Sequence, residues 1–116
     1  MKQSDDYYVR AVATIVSGKW TLLILHNLQD STIRFSEIQR ALPKTKQKVL
    51  TDSLKKLERS GMITRTAYPV VPPQVEYQLT PLGSGLLEVT KPLFDWAQSN
   101  KENIKRAQKA YDRRAS

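Results

Sequence analysis

Apolar positions change their spacing twice along this 116-residue chain, and those changes divide it into segments. From Asp5 to Ser17, the residues Tyr8, Val9, Val12, Ile15 and Val16 fall on one face of a helix. Gly18 follows, where a helix end often needs a left-handed residue. "WTLLILHNL" (20–28) is apolar nearly all round, which predicts a short buried helix broken by Asp30-Ser31. Ser36-Glu37-Ile38-Gln39 fits a capping box, opening a helix with Phe35, Ile38 and Leu42 at helical spacing that stops at Pro43. Two residues later Thr45 can cap another helix, running to Ser60 with Gly61 as its terminator. Two short helices joined by a tight turn form the helix-turn-helix pattern, which ordinary helical hairpins share.

After Gly61 the period becomes that of strands. "MITRTAY" (62–68) is β-branched and aromatic, and "VEYQL" (75–79) alternates Val75, Tyr77 and Leu79 with Glu76 and Gln78. "PVVPPQ" (69–74) separates them with three prolines that cannot pair in a central strand, predicting a two-stranded hairpin with a stiff tip. Thr80-Pro81 is an N-cap followed by proline at the first helical position. The helix it starts carries Leu82, Leu86, Val89, Leu93 and Trp96 at heptad steps, with Pro92 inside it expected to kink it. That seam serves either the chain's own core or a second chain. From Lys101 the sequence is basic and weakly periodic, which reads as a frayed helical tail.

Charge sharpens this picture through its placement. The net charge is +8, but residues 1–43 carry +1, 44–60 carry +4, 61–100 carry −1 and 101–116 carry +4. Clustered basic residues are the footprint of a polyanion binder, although solubility charge is also basic. On the helix after Thr45, Leu50, Leu54 and Leu57 form a core stripe with Val49 nearby. Lys48, Lys55 and Arg59 lie opposite, flanked by Thr51 and Asp52, while Lys44, Lys46 and Gln47 gather at the N-terminal end, where free amides favour an anion. Asp52 and Glu58 can each pair with a nearby cation and still leave a surplus. Such a helix suits the major groove of double-stranded DNA. Gln47 and Thr51 are then the expected base readers, and Lys44, Lys46, Lys48 and Lys55 the expected phosphate contacts.

Other classes of function find little support. The chain has no cysteine, so disulfide and thiol chemistry are excluded, and it has one histidine, His26, set in an apolar helix. No phosphate loop, nucleophile elbow or metal-ligand spacing is present, so no enzyme, cofactor or metal is expected. No run of 18 apolar residues points to a membrane, and the start of the chain is polar, making the cytoplasm the expected location. A module for RNA or protein contact is the alternative; for stacking on bases it offers Tyr68 and Tyr111. Trp20 and Trp96 read as core residues sooner than as the lining of an effector pocket.

The combination "SGKW", "RFSEI", "LKKLERSG", "VPPQVEYQLT" and a later tryptophan resembles the HxlR-type winged helix-turn-helix regulators over roughly residues 8–97. The resemblance implies a homodimeric, sequence-specific DNA-binding transcription regulator. It would place Arg34 and Ser36 at the front of the first motif helix, Thr45 to Lys55 in the recognition helix, and Pro69 to Gln74, with Pro72 and Pro73, in the wing. Dimer contacts would come from the first helix (Val9, Val12) and the C-terminal helix (Leu82, Leu86, Val89, Leu93, Trp96). The family also leaves room for a small-molecule effector. Many members carry a cysteine shortly before the first helix where this chain has Tyr7, and many have arginine in place of Ser53. The expected fold is mostly α with a small β-hairpin (α+β), one winged helix-turn-helix domain over 1–116. Within it lie N-terminal helices at 5–28, the helix-turn-helix at 34–60, the wing at 62–79, and a dimerisation helix with basic tail at 80–116.

Overall fold

The structure, a computed structural model, describes residues 3–29 and 31–115, with the side chains of the first helix described from Asp6 onward. Helix α1 (Gln3–Ser17) and helix α2 (Thr21–Asn27) meet at a 76° bend. Tyr7 lies inside α1, within the helical pattern read from Asp5 to Ser17, and its ring meets that of Tyr8 edge-on. At the bend Gly18 does not adopt the left-handed conformation expected of it; Gly61 is the glycine with positive φ. The need at Gly18 is space, because a Cβ there would come within 2.5 Å of Thr21 Oγ1. That hydroxyl donates to the Ile15 carbonyl, tying the two helices together. Of the expected break after α2, Asp30 lies outside the described residues, while the Ser31 N–H donates to the Leu28 carbonyl.

The helix-turn-helix follows as α3 (Phe35–Ala41) and α4 (Gln47–Arg59). Neither starts at its expected cap: α3 is capped two residues earlier and α4 one residue later. Arg34, not Ser36, stands at the N-cap of α3, and Glu37 Oε1 accepts from the Arg34 N–H at 3.1 Å. A guanidinium has no acceptor, so only this half of a capping box forms. Before α4 the N-cap is Lys46, and Thr45 is instead buried with its hydroxyl unpartnered. The end of α4 agrees with expectation. Gly61 (φ 78°) follows it, with Met62 N–H bonded to Leu57 O and Gly61 N–H to Glu58 O, the paired bonds of a Schellman ending.

The hairpin forms from β2 (Ile63–Tyr68) and β3 (Gln74–Leu79), in antiparallel register from Ile63 opposite Leu79 to Tyr68 opposite Gln74. A third strand was not expected. β1 (Ile33–Arg34) pairs on the other side of β3, with Ile33 opposite Tyr77, giving the order β1-β3-β2. Two residues are too few to carry a period, so the pattern is silent there. Ile24, Leu25, Leu28, Ile38, Leu50, Leu54 and Leu57 are fully buried at the centre, and Tyr77 covers them from the sheet. Burying these side chains contributes on the order of 1.5–3 kcal/mol each before entropy is counted.

Helix α5 (Pro81–Ser99) is locked to this core at its start. Thr80 Oγ1 accepts from Gly83 N–H at 3.0 Å and donates to the Gly61 carbonyl at 2.6 Å. Gly83 packs so close to the Met62 carbonyl that a Cβ would collide with it. Gly83→Ala should therefore lower unfolding free energy by about 1–3 kcal/mol in urea titrations. Gly85→Ala, whose Cβ would meet nothing within 4 Å, should lose none. Equal stability of Gly83→Ala and wild type would refute this close docking.

Farther along, α5 turns Leu87 and Thr90 inward, while Leu82, Val89, Leu93 and Trp96 are exposed. Of the expected seam only Leu86 packs against the core. Trp96 is thus not a core residue, whereas Trp20 is half-buried against the core. The helix is continuous through Pro92, which leaves the Glu88 carbonyl without its usual donor. The expected frayed tail is instead a complete helix, α6 (Lys101–Ala115), with no buried residue. Lys, Glu, Arg, Gln and Ala dominate it, and such residues are strong helix formers without tertiary support. The radius of gyration is 17.0 Å, well above the roughly 13 Å of a compact domain this long, as α6 leaving the core requires. No single helix among the described residues is long and apolar enough to cross a membrane.

Candidate nucleic-acid interface

Helix α4 is held by one face and presents the others. Leu50, Leu54 and Leu57 are buried, so its orientation about its own axis is set by the core. The turn before it is closed by Thr45 N–H bonding the Leu42 carbonyl, with Leu42 itself buried. Lys44, Lys46, Gln47, Lys48 and Lys55 are all exposed, and Thr51 is half-exposed. Five of the predicted α4 contacts therefore reach solvent freely. Thr45 does not, since burial places it beneath the turn.

Gln47, Thr51 and Lys55 line a groove whose opposite wall comes from the sheet, through Arg65 of β2 with Val75 and Tyr77 of β3. Phe35 and Glu58 complete the groove. Arg65 carries no signal of this placement in the sequence; its position across from α4 comes from the register that sets Arg65 opposite Tyr77. On the other flank of α4, Val49 is exposed instead of joining the core stripe, and Lys56 and Arg59 line a second groove with Tyr7 and Arg10 of α1. Lys48 Nζ and Asp52 Oδ2 are 3.2 Å apart, an ion pair on the outward side of the helix.

The other predicted contacts lie in separate places. Arg34 and Ser36 are exposed around the start of α3. At the hairpin tip Pro72 and Pro73 are exposed and Val71 is 99% exposed, while Gln74 is half-buried as the first residue of β3. His26, exposed on α2, stacks its ring at 4.8 Å from Phe94 of α5. Val9 and Val12 of α1 are exposed, like most of the α5 seam.

A helix-turn-helix whose second helix is cationic and exposed, backed by a three-stranded sheet with a protruding hairpin, defines a winged-helix DNA-binding protein. The comparisons with known proteins agree. Residues 15–105 match the family described as HxlR-like helix-turn-helix, and the chain belongs to that family. It is 44% identical over 105 residues to an uncharacterized HTH-type transcriptional regulator of Methanothermobacter thermautotrophicus, covering 85% of this chain and 80% of that one. The solved structure of the transcriptional regulator YtfH from Salmonella typhimurium superposes with a TM-score of 0.80 at 40% identity, covering 87% of this chain and 90% of that one. The redox regulator HypR in its reduced form gives a TM-score of 0.77 at 33% identity, covering 84% and 97%. The protein is a DNA-binding transcription regulator of the HxlR type.

Proposed function

We propose that the chain works as a cytoplasmic, non-enzymatic homodimer that places its two α4 helices on a pseudo-palindromic operator. The observation that carries this reading is the unpartnered face of α5. Leu82, Val89, Leu93 and Trp96 lie exposed along one seam while the opposite face is buried in the core. With the exposed Val9 and Val12 of α1, that seam is the surface a second copy would cover. In this reading Gln47 and Thr51 meet base edges, Lys44, Lys46 and Lys55 meet phosphates, and Arg34 and Ser36 steady the first motif helix against the backbone. The tip at Pro72, Pro73 and Gln74 rests beside a minor groove. Selecting bound fragments from a random duplex library tests it. The recovered sites should be inverted repeats with half-site centres about 34–36 Å apart, one turn of the duplex. Recovery of asymmetric, unrepeated sites would overturn the dimeric arrangement.

Control by thiol oxidation does not transfer to this chain. HypR is named a redox regulator, but here no cysteine exists to be oxidised. Peroxide or diamide should leave the affinity for duplex DNA unchanged in gel shifts, apart from slow damage at methionine. Met62 is buried and so protected; Met1 lies outside the described residues. A rapid loss of binding that a reductant restores would contradict this.

A further inference from the structure

The side of α4 that points directly away from the core is not uniformly basic. With Leu50, Leu54 and Leu57 buried, a turn of 100° per residue puts Lys48, Asp52 and Arg59 at the opposite pole. Of these, Lys48 and Asp52 lie in the N-terminal half, the part of a recognition helix that approaches base edges. Their side chains are 86% and 59% exposed, and the ion pair at 3.2 Å is the interaction the structure records for each among the described residues.

Stability does not account for this pair. Exposed pairs four residues apart contribute little, and a cation preceding its acid along the helix is the weaker order with respect to the helix dipole. Aspartate is also a poor residue for a helix interior. A carboxylate carried between two rows of phosphates is repelled unless it finds a donor, and in the major groove the donors are the amines of cytosine and adenine. At adenine the amine is flanked by the N7 acceptor, which repels a carboxylate. Cytosine N4 has a C–H on that side, and on the other side the O6 of its paired guanine, an acceptor suited to lysine. The edge of a C·G pair thus sets a donor beside acceptors, and Lys48 with Asp52 sets an acceptor beside a donor.

We propose that Lys48 and Asp52 together read one C·G base pair in each half-site, Asp52 accepting from cytosine N4 and Lys48 donating to guanine O6 or N7. This rests on the operator-binding reading of α4, and it moves Lys48 from the phosphates, where sequence alone put it, to the bases. The test selects sites from a random duplex library with the full-length wild type, Asp52→Ala and Asp52→Asn, and then measures affinities for the winners by gel shift. Both side chains are exposed, so melting temperatures should not change. Wild type should enrich a C·G pair at one fixed position of each half-site. Asp52→Ala should keep the rest of the site but lose that preference, with discrimination there falling about tenfold or more. Asp52→Asn should shift it toward adenine, because an amide both donates and accepts and so matches adenine N6 and N7. If Asp52→Ala enriches the wild-type site unchanged and binds every duplex more tightly by one common factor, the acid merely tempers charge and the proposal is overturned. A wild-type selection that enriches no site would instead overturn the operator-binding reading, and this pairing with it.

Discussion

Val89→Asp should convert a dimer into a folded monomer and reduce operator affinity on the order of 10²–10⁴-fold. Val89 is 77% exposed in the single chain, so a carboxylate there sits in water and leaves the monomer's core untouched. In a two-fold dimer the same change buries two carboxylates without partners in a seam of Leu82, Leu93 and Trp96, at several kcal/mol for each. The affinity loss follows from linkage. One subunit bound to its half-site holds the other at an effective concentration near millimolar, and a monomer forfeits that gain. Sedimentation at micromolar protein and circular dichroism together check the outcome. Leu86 is a poorer choice for this test because it also packs on the core, and a change there would confuse misfolding with dissociation. A wild-type chain that sediments as a monomer at micromolar concentration, or a Val89→Asp chain that stays dimeric, would refute the seam.

How far the sequence could be read depended on how local each interaction is. The stripe of Leu50, Leu54 and Leu57 and the terminator at Gly61 emerge as expected, because helical period and left-handed endings are properties of a few consecutive residues. The hairpin and its polyproline tip follow for the same reason. Strand β1 was illegible, since Ile33 and Arg34 become a strand only by pairing with Tyr77 and Glu76 more than forty residues later. Gly18 shows a glycine used for room instead of for φ, a distinction that needs the position of Thr21. Within the site, the charges of α4 were legible, including the capacity of Asp52 to pair with a nearby cation, which it does with Lys48. That Arg65 faces the same groove as Gln47, Thr51 and Lys55 depends on how the sheet packs against α4, and no short window of sequence contains that information.

Salt and sequence should separate the residues of that groove into two kinds. A dimer whose lysines neutralise several phosphates should lose affinity steeply with salt, with a log–log slope near −0.9 per phosphate contacted. For about six to ten such contacts, affinity should fall roughly 10³- to 10⁵-fold between 50 and 200 mM salt. Lys55→Ala removes one exposed cation per subunit and should weaken operator and random duplexes alike, flattening the slope by roughly 2 per dimer. Gln47→Ala and Thr51→Ala should instead cost on the order of 1–3 kcal/mol per half-site on the operator and little on random DNA, leaving the slope unchanged. Helix α6 provides the control. It has no buried residue, so deleting residues 105–116, which carry Lys105, Arg106, Lys109, Arg113 and Arg114, should leave the core intact. The deletion should weaken non-specific attraction without changing which sequence is preferred. These outcomes are checked by gel shifts across a salt series with operator and scrambled duplexes. If Lys55→Ala changed the preferred sequence while Gln47→Ala and Thr51→Ala changed nothing, Lys55 and not Gln47 or Thr51 would face the bases, and the helix would enter the major groove rotated from the orientation proposed.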